Sequence, residues 1–174
     1  MDYNATVKPY GEGKDIHTVI EIPMGSTHKI EFDRRQKLMI LDREEPHIFP
    51  KPANYGFIPG TLDEDGDELD TLLVTDDPLP TGVLVTATVL GVLIFEDGGE
   101  VDYKIICVPT DDRHTGGRIK SLEDLGERWM AQVEHHFIHY KDLKKAGTTK
   151  VMGFGDVAKA HQIIEECIER WNKQ

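Results

Sequence analysis

Asp63-Glu64-Asp65-Gly66-Asp67-Glu68-Leu69-Asp70, running on into Thr71-Leu72-Leu73-Val74, decides how the rest of the chain is read. Six of the first eight residues are acidic, and the next four form an apolar, strand-like run. Carboxylates this close repel one another unless positive charge sits among them. Hard divalent ions such as Mg²⁺ meet that need: they take oxygen ligands at about 2.0–2.1 Å and keep several waters, which leaves room for a phosphate. Tyr55-Gly56-Phe57-Ile58-Pro59-Gly60 flanks the acids on the other side, so they are expected at a strand edge. A solvated acidic turn is the plainer alternative. The surrounding residues decide between the two.

The length of 174 residues predicts one domain, 1–174, with a sizeable core. Lys and Arg number 20 against 32 Asp and Glu, a net charge of −12. A field of that sign disfavours nucleic acid and anionic membrane. An anionic substrate must then arrive with metal or be met by a local group of cations. Cys107 and Cys167 lie in apolar runs, which fits buried thiols of a reducing compartment rather than a disulfide framework. Met1-Asp2-Tyr3-Asn4-Ala5-Thr6 has no signal-segment character, and no apolar run approaches ~18 residues, so a cytoplasmic protein is expected.

Outward from the acidic run, the pattern is strand after strand. His17 to Pro23 alternates and carries a single acid, Glu21. After the Gly25-Ser26 turn, His28 to Asp33 alternates again, with Lys29, Glu31 and Asp33 on one face and Ile30 and Phe32 on the other. A surface charge ladder would look the same. Leu38-Met39-Ile40-Leu41-Asp42-Arg43 is a third strand. Pro46, Pro50, Pro52 and Pro59 then exclude helix, and Pro52-Ala53-Asn54-Tyr55-Gly56 reads as a rigid connection carrying one phenol, a residue more often packing than ligand. Gly82 to Phe95 is a long buried strand or a bent pair. The turn at Gly98-Gly99 folds Asp97 back near Asp102, and Asp102 shares a face with Lys104.

Helices come late. Ser121-Leu122-Glu123-Asp124 resembles a capping box with Asp in place of Glu or Gln. Leu122, Leu125, Trp129, Val133, Phe137 and Tyr140 then recur at helical spacing. His135 and His139 have zinc-like spacing, but with neither HExxH nor a nearby cysteine a packed or interface role is expected. Asp156 is a candidate N-cap for a last helix with Val157, Ala160, Ile164, Cys167 and Trp171 on one stripe. Strands followed by two helices predict an α+β protein, a closed or nearly closed barrel with helices packed on it.

Collected, the candidates are Glu21, Glu31, Asp65, Asp67, Asp70, Asp97 and Asp102, the cations Lys29, Arg43, Lys104 and Lys141, and the phenols Tyr55 and Tyr140. The acidic run does not fit an EF-hand loop. Cations interleaved with acids on the same strands suggest several divalent ions bridged by a polyanion. Metals brace the attacking and leaving oxygens of a phosphoryl transfer to water, while the protein supplies positioning and charge. A hydrolase of nucleotide or other diphosphates is the rival enzyme, and a barrel that binds divalent ions or an acidic partner without catalysis is the rival outside enzymes.

Asp65-Gly66-Asp67-Glu68-Leu69-Asp70 resembles the Asp-Gly-Asp-Pro-Leu-Asp signature of the family I soluble inorganic pyrophosphatases, short prokaryotic type. The likeness extends through Glu21-Ile22-Pro23, Lys29, Glu31, Leu41-Asp42-Arg43 and Pro52-Ala53-Asn54-Tyr55-Gly56-Phe57-Ile58-Pro59. It continues at Asp97, Asp102-Tyr103-Lys104, His139-Tyr140-Lys141-Asp142-Leu143 and Gly153-Phe154-Gly155-Asp156. The resemblance implies a five-stranded OB-like barrel with two main helices, and hydrolysis of pyrophosphate to two phosphates by a metal-activated water. It implies several Mg²⁺ per site, with Mn²⁺ or Zn²⁺ as substitutes. Asp65, Asp70 and Asp102 would be the principal ligands, and Asp97 and Glu31 would hold further metal or its waters. Asp67 would accept the water's proton. Lys29, Arg43, Tyr55, Lys104, Tyr140 and Lys141 would bind phosphates, with Glu21 an acid of the inner rim. It also implies a homohexamer, with His135 and His139 near trimer contacts.

Three positions depart from the family pattern. Glu68 replaces the signature proline and is expected to add charge and loop freedom, shifting metal affinity. Lys51 stands in place of an aromatic, which puts the packing under Tyr55 in question. Phe154 replaces a tryptophan, a change of packing only.

Overall fold

β-Branched and aromatic residues alternating with polar ones build most of the eight strands of this computed structural model, which describes residues 1–114 and 117–174. After a one-turn helix α1 (Tyr3–Thr6) come β1 (Ile16–Ile22), β2 (His28–Asp33), β3 (Leu38–Glu44), β4 (Asn54–Phe57) and β5 (Asp70–Leu73). Then follow β6 (Leu84–Asp97) and β7 (Glu100–Pro109), α2 (Leu122–Leu125), α3 (Glu127–His139), α4 (Asp142–Lys145), β8 (Thr149–Gly155) and α5 (Val157–Trp171). No helix among the described residues is long and apolar enough to cross a membrane.

Six strands form one sheet in the order β1-β4-β5-β7-β6-β8, and β1 also pairs with β6. The hairpin β2-β3 stands apart as a second sheet. The long strand β6 pairs with β1 through residues 84–87 and with β8 through 92–97. A register shift between Val89 and Gly91 lies between these two stretches. The arrangement is α+β, as expected.

Two apolar stripes fix the helices. Ala160, Ile163, Ile164 and Cys167 of α5 join a core with Ile16, Ile20, Val92 and Ile105. Val133 and Phe137 of α3 join a second with Leu72, Leu93, Phe95 and Ile106. Phe137 meets Phe95 edge-on at 5.2 Å, which anchors the end of α3 that carries Tyr140. Cys107 and Cys167 are both free and buried.

The structure corrects the sequence reading in three places. Residues 54–57 are a strand, not merely a connection: Gly56 lies so close to β1 that a Cβ there would stand 2.1 Å from the Val19 carbonyl oxygen. The helical pattern from Ser121 is two helices, because Gly126 at φ 81° interrupts it. A strand, β8, also intervenes before the last helix, and Val157 of the expected apolar stripe is exposed while Ile163 is buried.

Candidate active site

Strand register assembles the charged groups. Lys29 lies opposite Arg43 in the β2-β3 hairpin. Asp70 opens β5 and lies opposite Lys104 of the parallel strand β7. Asp102 sits two residues before Lys104 on the same face, and Asp97 ends β6 before the Gly98-Gly99 turn. Tyr140 and Lys141 follow the C-terminus of α3. All thirteen candidate residues read from the sequence line one cavity of about 230 Å³. Asp33, on the same sequence face as Lys29 and Glu31, instead caps the β2-β3 turn, accepting from the amides of Arg35 and Gln36 at 2.8 Å.

Opposite charges interlock across the cavity. Lys104, 2 % exposed, donates to Asp70 Oδ2 at 2.5 Å and to Asp102 Oδ1. The Tyr55 hydroxyl donates to the same Asp70 oxygen. Lys141 donates to Asp97, as does the Tyr140 hydroxyl at 3.3 Å. Lys29 pairs with Glu31 and lies 3.7 Å from Asp42. Arg43 pairs with Asp42 at 2.5 Å and with Glu45 at 2.6 Å. Asp67 stays open to solvent near the mouth, 3.3 Å from Arg34, with its amide donating to Asp65 Oδ1 at 3.0 Å. Glu21 is buried on β1 and accepts from the Phe32 amide at 2.7 Å.

Burial shapes the protonation of these groups. It pushes Glu21 well above the usual carboxylate range, and Asp70 adds to the effect. It also raises Asp65, and it raises Asp102 against the opposing pull of Lys104. At Lys104 burial works against the charge, but Asp70 and Asp102 outweigh it and hold the ammonium protonated. Tyr55 and Tyr140 stay protonated, above all because they are desolvated.

Eight carboxylates and five cations line the cavity, a formal excess of three negative charges. An all-oxygen donor set with that excess fits hard divalent ions. Among the described residues, no three His, Cys, Asp or Glu side chains form a ready-made group for a metal. Lysines stand between or beside the acids instead. A metal would therefore have to displace ammonium groups from Asp70, Asp102 or Asp97.

Glu68 and Lys51, the two charged departures from the family pattern, also line the cavity. Glu68 does not loosen its loop: it is buried, accepts from Asn4 Nδ2 and lies 3.4 Å from Arg34. Asn4 also accepts from the Gly60 amide at 2.8 Å, so Glu68 ties the N-terminal segment to the loop. Lys51 packs its ammonium 4.6 Å from the Tyr55 ring centroid, filling the position where aromatic packing was in question. Phe154 joins the core beside α3. The rings of His135 and His139 lie 4.5 Å apart, and His139 Nδ1 meets Asp142 at 2.8 Å.

Residues 18–172 match the family model described as inorganic pyrophosphatase. An inorganic pyrophosphatase of Neisseria meningitidis serogroup B is 59 % identical over 174 residues, covering 99 % of this chain and 98 % of its own. The crystal structure of an inorganic pyrophosphatase from Neisseria gonorrhoeae superposes with a TM-score of 0.96 at 57 % identity, covering 98 % of this chain and 99 % of that one. The Thermus thermophilus structure of the same description gives 0.91 at 35 % identity over 99 % of each chain.

Proposed function

The chain belongs to the inorganic pyrophosphatase family and is a hydrolase of that class, and from that premise we propose that its cavity hydrolyses pyrophosphate to two phosphates in a Mg²⁺-dependent reaction. The observation that carries this reading is the convergence of eight carboxylates and five cations in a cavity of about 230 Å³. A pure cation-binding module has no use for Lys29, Arg43, Lys104 and Lys141 among its ligands.

Asp65, Asp70 and Asp102 would hold Mg²⁺, with Asp97 and Glu31 adding ligands or holding its waters, and Mn²⁺ or Zn²⁺ as substitutes. When bound, the metal supplies the missing positive charge and lowers the pKa of a water. Lys29, Arg43, Lys104 and Lys141, with the Tyr55 and Tyr140 hydroxyls, orient the two phosphoryl groups and offset the charge that moves to the leaving phosphate. Asp67, open to solvent near the mouth, takes the proton of the attacking water. Glu21 stays as a buried acid of the inner rim. We read the pairing of β1 with both β4 and β6 as support for a five-stranded OB-like barrel. The free buried thiols suit a cytoplasmic enzyme. The assembly we propose is a homohexamer.

Asp67→Asn tests the mechanism. Turnover should fall about 10²–10⁴-fold, the usual worth of a general base, with Mg²⁺ binding by calorimetry nearly unchanged. Equal loss of binding and turnover would make Asp67 a ligand and remove its role as base.

A further inference from the structure

The cavity's cations differ in one respect. Lys29, Arg43, Lys104 and Lys141 each meet at least one carboxylate. Among the described residues Lys51 meets none. Its ammonium instead faces three rings, 4.6 Å from the centroid of Tyr55, 5.5 Å from Tyr140 and 5.9 Å from Phe137. Aromatic faces attract a cation but offer no oxygen or nitrogen acceptor for the three hydrogen bonds an ammonium can donate. The backbone that presents it is fixed. The Lys51 amide donates to the Ser26 carbonyl at 3.0 Å and its carbonyl accepts from the Gly25 amide at 2.9 Å, and prolines 50 and 52 flank it. Burial, and then Lys104, lower its pKa to about 8, with Asp70 opposing. Lys51 is thus a half-buried ammonium on the wall of the cavity, with no hydrogen-bond acceptor among the described residues.

We infer that Lys51 is a further substrate-binding residue, donating to an oxygen of pyrophosphate or of product phosphate. This rests on the reading of the cavity as a pyrophosphate site. The three rings hold the ammonium in place without neutralising it, so its charge remains available to the phosphoryl oxygens.

Lys51→Met keeps an unbranched stem inside the aromatic cage and removes the charge, Lys51→Gln does so with a polar end, and Lys51→Arg keeps the charge. A hydrogen bond to a charged group is worth ~10-fold or more in binding. The KM for pyrophosphate should therefore rise about 10-fold in Lys51→Met and Lys51→Gln, with kcat within about threefold of the parent. Inhibition by inorganic phosphate should weaken in the same proportion, and Lys51→Arg should recover most of both effects. Unchanged KM and phosphate inhibition in either neutral variant would overturn the inference. So would a fall in kcat alone, which is what a mere prop for Tyr55 and Tyr140 would give. Calorimetric titration of phosphate with Mg²⁺ into the parent and Lys51→Met reads the same contact without turnover. A chain that fails to hydrolyse pyrophosphate would thus sink the proposed function and leave the test of Lys51 intact.

Discussion

Lys104 is the positive centre on which the cavity's acids depend, and Lys104→Met measures that dependence. The ammonium is 2 % exposed and lies between Asp70 and Asp102, with the rings of Tyr55 and Phe95 at 5.5 and 5.7 Å. Methionine fills similar space but leaves two neighbouring carboxylates uncompensated. Removing one partner of a buried ion pair costs about 3–5 kcal/mol. For a chain of this size each kcal/mol moves Tm by about 2–4 °C, so Tm in EDTA should fall roughly 6–20 °C. Adding Asp102→Asn to Lys104→Met should recover a good part of the loss, a coupling that a double-mutant cycle reads directly. Mg²⁺ should also raise the Tm of Lys104→Met by more than that of the parent, because the ion takes over the neutralisation. Calorimetry of the four proteins with and without Mg²⁺ is the assay. A loss under about 1 kcal/mol with no coupling to Asp102 would show Lys104 to be a solvated cation, contrary to the reasoning from burial.

His136 predicts a pH dependence. It is buried, its Nε2 has no partner among the described residues, and burial, with Lys51 and His135, holds its pKa down to about 3. A depressed folded pKa stabilises the protein fully above the unfolded value of about 6.5, and that contribution is lost as pH falls from there toward 3. At pH 5 the loss is about 2 kcal/mol; His136→Phe should remove that part of the urea-midpoint shift between pH 7 and 5, and an identical shift in both proteins would refute it. Gly56→Ala would place a Cβ 2.1 Å from the Val19 carbonyl oxygen. Relief requires β4 to leave β1, so stability should drop by about 3 kcal/mol or more and activity should fall with it as Tyr55 moves. Full activity and an unchanged Tm in Gly56→Ala would mean that the two strands are not tightly apposed.

Much of the site was legible because strand alternation carries it. Lys29 with Glu31, and Asp102 with Lys104, share faces by period-two spacing alone, and each pair lines the cavity. The pairing of Asp70 with Lys104 was not legible, since it depends on the parallel register of two strands far apart in sequence. The strand β4 was hidden by Pro52, Pro59 and Gly56, which weaken a strand pattern, although Gly56 here permits close approach to β1. Gly153 and Gly155 dilute β8 in the same way. Gly126 did not disturb the apolar spacing across Leu125 and Trp129, so the helical pattern looked continuous through a break that only its backbone angle reveals. The surroundings of Glu68 and Lys51 were not legible, for a common reason. Local sequence shows a charge where another residue type is usual, but not the distant partners, Asn4 and Arg34 for one and three aromatic rings for the other.

Phosphate release from pyrophosphate, with ATP and a sugar diphosphate alongside and EDTA as control, tests the central claim most directly. Release should be fast from pyrophosphate alone, present with Mg²⁺ and abolished by EDTA. Comparable release from ATP or the sugar diphosphate, or none from pyrophosphate with any divalent metal, would contradict it.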